Sequence, residues 1–262
     1  MEGYRTAGAP RAGKGAVIAA GRELGLMLIA VLAYFAIRGL TQGATADALR
    51  NASRVVELEQ LLGIHIEDRL QALIIHSHAL VTLANWVYIW GHWPFIAIVA
   101  AWLVLGHPGE YRAIRNAFLL SGSAGLVIFA LFPVAPPRLF DPNLIDTVTE
   151  HSRSYRVLQP PALVNQYAAM PSFHFGWNLL IGLGIIRCSR RAWVKVIGVA
   201  APAAMGLATV LTANHYILDL VVGAAMALTA LYLVELARGR RFAPWRPGPW
   251  LRPFEPGRAD AA

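Results

Sequence analysis

Histidine and aspartate stand four residues apart in N-H-Y-I-L-D, which runs from Asn214 to Asp219. On a helix that spacing puts His215 and Asp219 on one face, one turn apart. An aspartate there accepts a hydrogen bond from one imidazole nitrogen, fixes the tautomer and makes the other nitrogen a better base or nucleophile. A second histidine, His174, lies in A-M-P-S-F-H-F-G-W, from Ala169 to Trp177. Pro171 suits a first helical turn and Ser172 suits its cap. Free backbone N–H groups at such a helix end favour a phosphate. Arg138 closes the run F-P-V-A-P-P-R and offers a planar fork that matches phosphate oxygens. Two histidines, an aspartate, an arginine and a helix N-terminus together describe a phosphoryl-transfer site. One histidine attacks phosphorus, the other protonates the leaving oxygen, and the arginine and amides hold the developing charge.

The elements that must carry these residues are membrane helices. The chain has 262 residues, of which 56% are hydrophobic and 15% charged, too apolar for an ordinary soluble domain. Runs of about 20 apolar residues can cross a bilayer, and six such runs are legible, near 18–38, 79–105, 114–133, 172–187, 193–213 and 215–236. The expected fold is all-α: an integral membrane bundle of six transmembrane helices, with short amphipathic helices on the extracytoplasmic face. The amphipathic helices are read in Asp47–Ile75, where Leu49, Val56, Leu61 and Ile64 recur at helical spacing among charges and Gly63 breaks the run. Trp86, Tyr88, Trp90 and Trp93 form an aromatic belt, and Pro94 is a candidate kink in the second run. The prolines from Pro133 to Pro137 end the third run and leave a stiff extended segment. A long polar loop, 139–169, follows. One membrane domain, 16–238, is thus expected between a disordered basic tail, 1–15, and a basic proline-rich tail, 239–262.

Charge gives the orientation. The N-terminus, the second and fourth loops and the C-terminus carry 16 of the 23 basic residues, and the other side carries 7. The positive-inside rule then puts both termini in the cytoplasm and the site on the extracytoplasmic side of a plasma or inner membrane. Ala44-Thr45-Ala46 also fits a signal cleavage site, but the first run is long for a signal. The net charge of +8 is read as contact with membrane lipids, with no nucleic-acid partner. A single cysteine, Cys188, excludes an internal disulfide and a cysteine-built zinc site; a buried thiol is expected.

Taken singly, each site residue has a plainer reading. A histidine at a helix end is an interfacial hydrogen-bonder, His215 and Asp219 a helix-stabilising pair, Arg138 a headgroup contact. By the six-run count Arg138, Ser172, His174, His215 and Asp219 reach the same membrane side, and ionisable groups at membrane depth point to function. His76 and His78 alternate, so a helix would place them on different faces, which argues against a metal. His92 and His107 read as interfacial. Asn51-Ala52-Ser53 fits a glycosylation acceptor, a pattern that often occurs by chance.

These residues resemble the type-2 phosphatidic acid phosphatase superfamily, whose motifs are K-x6-R-P, P-S-G-H and S-R-x5-H-x3-D. P-S-F-H at 171–174 resembles the second motif, H-Y-I-L-D at 215–219 the third, and A-P-P-R at 135–138 a remnant of the first. The resemblance covers about residues 55–236. It departs at Leu131, where the first motif has lysine, at Ala208 and Thr209, where the third has serine and arginine, and at Phe173, where the second has glycine. The pattern is more similar to the branch containing inositol phosphorylceramide synthases. That branch also shows the L-G-x-x-x-E stretch seen at Leu62–Glu67 and the N-x-x-Y-x-x-x-H-x-P stretch seen at Asn85–Pro94. The resemblance implies a lipid phosphate substrate, no cofactor and no metal. It implies His215 as nucleophile forming a phospho-histidine, Asp219 orienting it, His174 as general acid, and Arg138 and Ser172 binding phosphate. Arg153 and Arg156 lie on the same side and are candidates to replace the missing clamps. The acceptor, water or an alcohol, stays open between phosphatase and phosphotransferase. A non-catalytic lipid-binding or transport protein on the same scaffold is the other reading.

Overall fold

The computed structural model describes residues 44–151 and 165–242, with scattered positions between 25 and 36. Most of the first apolar run, both tails (apart from residues 239–242), Arg153 and Arg156 lie outside the described residues. Ten helices follow one another among the described residues from 44 onward: α1 (Thr45–Leu62), α2 (Glu67–Ala72), α3 (His78–Trp90), α4 (Trp93–Gly106), α5 (Pro108–Leu131), α6 (Pro137–Phe140), α7 (Thr147–His151), α8 (Phe173–Cys188), α9 (Ala192–Leu211) and α10 (Ile217–Ala237). The fold is all-helical, as expected. Its one extended pairing among the described residues is an isolated parallel bridge between Val134 and Ala168.

Three helices, α5, α9 and α10, are long and apolar enough to cross a membrane. The second predicted run is not one helix. It is the pair α3 and α4, bent by 45°, and the chain turns at Gly91 and His92, just before Pro94 takes the second position of α4. Counted as one broken span, the pair brings the total to four. The fourth predicted run is the 16-residue apolar helix α8.

Local sequence sets the boundaries. Gly63 ends α1 with a left-handed φ of 69°, a conformation that glycine adopts without a Cβ clash. Ser77 caps α3, its hydroxyl accepting from the Leu80 amide. On α1 the buried face is Ala48, Asn51, Ala52, Val55 and Glu59, spaced as one helical stripe. Asn51 is no glycan acceptor in this fold: its amide is buried and donates to the Pro133 carbonyl at 2.9 Å.

The core runs along α8. Leu180, Ile181, Leu183 and Ile185 pack with Leu103 of α4, Ile114 of α5 and Leu231 of α10. Backbones come close where Gly182 of α8 faces Gly198 of α9, and again where Gly176 of α8 faces Gly223 of α10. At the C-terminal end of α8, Arg187 lies between Glu110 (3.0 Å) and Glu235 (3.1 Å), a buried cluster that joins α5, α8 and α10. Cys188 is a buried free thiol. At the N-terminal end of α8 lie the histidines.

Candidate active site

Three backbone links bring the separated motifs together. Val134 donates to the Tyr167 carbonyl at 2.9 Å, and Ala169 donates back to Val134 at 3.2 Å. The proline-rich segment is thereby laid beside the approach to α8. The amide of Arg138 donates to Ala213 at 3.0 Å, two residues before His215, and the amide of Ser172 donates to Asp219 at 3.0 Å. Ser172 caps α8, its hydroxyl accepting from the Phe175 amide, and its own side chain is fully buried. Pro171 stands just outside the helix rather than in its first turn.

His215 precedes α10 and therefore lies outside the membrane-spanning helix. Its Nδ1 is 2.7 Å from the Ala169 carbonyl and 3.3 Å from Asp219 Oδ2. A carbonyl oxygen only accepts, so Nδ1 carries the hydrogen and Nε2 keeps the lone pair. Asp219 Oδ2 also accepts the Tyr216 amide at 2.9 Å, which makes Asp219 both the orienting group and part of the helix cap. Burial pushes the His215 imidazole down to about 4; the Arg138 charge adds to this and the Ala169 carbonyl opposes it. The ring is thus neutral near pH 7, with a free lone pair on Nε2.

The His174 ring centroid is 5.6 Å from that of His215. It stacks on Tyr88 at 4.4 Å and lies 4.3 Å from His92. His92 is not an interfacial residue: it is buried at the bend between α3 and α4. Asn178 donates through Nδ2 both to the His174 carbonyl at 2.8 Å and to His92 Nδ1 at 3.2 Å. His92 therefore carries its hydrogen on Nε2. Asn85, on the same helix as Tyr88, exchanges hydrogen bonds with Thr147 and fixes α3 against α7. Arg138 pairs through Nε with Asp146 at 3.1 Å, while its two Nη groups take no partner among the described residues.

The departures from the family pattern have visible consequences. Leu131 is 80% exposed on the end of α5. Thr209 is fully buried, its hydroxyl bonded back to Gly206 at 2.7 Å, and its carbonyl accepts the amides of Asn214 and His215. That position anchors the turn rather than a phosphate. Phe173 stacks on Trp177 at 4.5 Å and meets Phe129 edge-on, filling the space above Gly125. Among the described residues the one cluster compact enough to hold a cation is Glu59, His65 and Glu67; His76 and His78 are not part of it.

An all-helical chain with several membrane-length apolar helices, carrying paired histidines at the mouths of two helices, defines the class: a membrane protein with a site suited to phosphate chemistry. The chain matches the family model of the PAP2 superfamily over residues 53–233, more than half its length, and belongs to that superfamily, whose members are phosphatases or phosphotransferases. No curated protein and no solved structure matches it.

Proposed function

We propose that the protein transfers a phosphoryl group, or a phospho-headgroup, from a lipid phosphate through a phospho-histidine, without a metal. The observation that carries this is the His215 ring, held by the Ala169 carbonyl at 2.7 Å with its lone pair on Nε2 and the His174 ring 5.6 Å away. His215 Nε2 attacks phosphorus and a new N–P bond forms. The P–O bond to the leaving group breaks, and His174 gives that oxygen a proton. His174 then takes a proton from the acceptor, whose oxygen attacks phosphorus and releases His215. Asp219 stabilises the charged ring. The amides of Phe173 and His174 at the start of α8, the cap Ser172 and the Nη groups of Arg138 hold the phosphate oxygens. Arg153 and Arg156 complete the binding set in place of the lysine and arginine absent at Leu131 and Thr209.

An alcohol acceptor, as in the inositol phosphorylceramide synthase branch, is the reading we favour. The two stretches that resemble that branch are the ones that contact the site. Tyr88 and His92 pack on His174, and Glu67 bonds the first turn of α10. We take residues 16–238 as one membrane domain with six spans, both termini cytoplasmic and the site extracytoplasmic. The α1–α2 hairpin would lie on that outer face. The test is a panel of phosphatidic acid, polyprenyl phosphates and phosphatidylinositol, with and without ceramide or other alcohols, supplied to purified protein in detergent. A new phosphodiester lipid, lost in His215→Ala, establishes the transferase. Free phosphate lost in His215→Ala establishes a phosphatase. Neither product would move the protein to lipid binding or transport.

A further inference from the structure

The first turn of α10 is bound in an unusual way. Three consecutive backbone N–H groups go to three different carboxylates: Tyr216 to Asp219 at 2.9 Å, Ile217 to Glu67 at 3.0 Å and Leu218 to Glu59 at 2.7 Å. Asp219 is the helix's own cap. Glu59 and Glu67 come from the α1–α2 hairpin, at least 150 residues earlier in the chain. Both are essentially without solvent exposure. Neither pairs with a lysine or arginine among the described residues. Among the described residues the one basic group beside them is His65, whose Nδ1 lies 3.0 Å from Glu67 and 3.4 Å from Glu59.

Two buried carboxylates are costly unless hydrogen-bonded and electrically compensated. The positive end of a helix supplies both kinds of relief. Burial also pushes the Glu59 carboxyl up to about 8, against the Leu218 amide and with the help of the neighbouring Glu67, so Glu59 retains its proton near neutral pH. The hairpin is shaped to deliver them. Gly63 turns the chain between the two glutamates, and Ala48 and Ala52 pack α1 against Tyr216 and Ala169. A consequence is that the amides of α10 are already taken, which leaves the start of α8 as the helix end free for a ligand.

We propose that Glu59 and Glu67 are positioning residues for the nucleophile. They clamp the first turn of α10 so that the ring of His215, two and three residues upstream of the clamped amides, stays on the Ala169 carbonyl and faces His174. The proposal rests on the reading of His215 as the nucleophile. Misplacing a reacting group by about 1 Å costs roughly 100-fold in rate. An amide at position 59 keeps the oxygen that accepts from Leu218 and replaces the protonated oxygen with an N–H donor.

The experiment uses the full chain in detergent micelles, with Glu59→Ala, Glu67→Ala and Glu59→Gln beside the wild type. We expect both alanine variants to lower kcat by about 10–100-fold at unchanged KM, and Glu59→Gln to recover most of that loss. The second readout needs no substrate: with ring-labelled histidine, the Nδ1–H tautomer signal of His215 shifts or splits in the alanine variants and returns in Glu59→Gln. Should Glu59→Ala fail to fold, Glu59→Asp, one methylene shorter, makes the same comparison. Alanine variants with wild-type kcat and an unmoved His215 signal would overturn the proposal. So would a stoichiometric divalent metal in the wild type that is lost in His65→Ala, because the cluster would then be a metal site. If the wild type turns over no lipid phosphate, the nucleophile reading fails, and the His215 signal still decides the positioning role.

Discussion

The backbone amide of Ser172 donates to the carbonyl of Asp219 at 3.0 Å, which ties the start of α8 directly to the first turn of α10. Gly223 makes that approach possible, because a Cβ there would collide with the Ser172 carbonyl. Gly223→Ala is therefore expected to destabilise the protein by about 1–3 kcal/mol through overpacking and to lower turnover with it. Gly106→Ala, where no neighbour lies within 4 Å, is the control and leaves both unchanged. Thermal unfolding in detergent beside turnover checks the pair; equal melting temperatures would contradict the close-packing argument.

Asp219 does two things that substitution separates. Asp219→Asn keeps an oxygen for the Tyr216 amide, and Ala169 still fixes the tautomer of His215, so only the negative charge is lost. Turnover should fall by about 100-fold, in the range of one electrostatic contact to a developing charge, with little change in melting temperature. Asp219→Ala also removes a helix cap, worth about 1 kcal/mol, and should melt measurably lower. If the two variants melted alike, the capping role would be wrong.

The pH profile follows from burial of His215. Its Nε2 lone pair is lost only when the ring is protonated, near pH 4. With a phosphodiester substrate, which does not titrate in this range, the acid limb of kcat/KM, where His215 gains its proton, should lie near pH 4; a separate alkaline limb belongs to His174, which must hold a proton to act as the acid. An acid limb near the ordinary histidine value of about 6.5 would show that the ring is not desolvated in the working enzyme.

Much of the helical fold was legible in the sequence, because apolar runs and breakers are local signals. Gly63 ends α1 as read; the fifth and sixth apolar runs became α9 and α10 with shifts of one or two residues at their ends, and the third became α5, which begins six residues earlier than its apolar run. The contact between His215 and Asp219 was also legible, but for a different reason than expected. His215 is not helical; it reaches Asp219 from the residue before the cap. Its shorter bond is to Ala169, 46 residues away, and no spacing rule reports a partner at that separation. The same limit hid Glu59 and Glu67, which read as charges on an amphipathic surface helix yet are buried against α10. His92, which lies within the stretch from Trp86 to Trp93, reads as interfacial. The bend between α3 and α4 turns it inward onto His174 and Asn178. Asn85, Tyr88 and His92 do fall at positions i, i+3 and i+7, the one local hint that they share a face.

The central claim is covalent chemistry at His215, and trapping tests it most directly. Purified protein would be mixed with a lipid whose phosphate is isotopically labelled, then quenched in alkali, where a phosphoramidate bond survives. Peptide mass spectrometry would locate the label. The account predicts a phosphoryl or phospho-headgroup adduct on His215, absent from His215→Ala, which also loses turnover. Turnover without any adduct on His215, or undiminished turnover in His215→Ala, would contradict it.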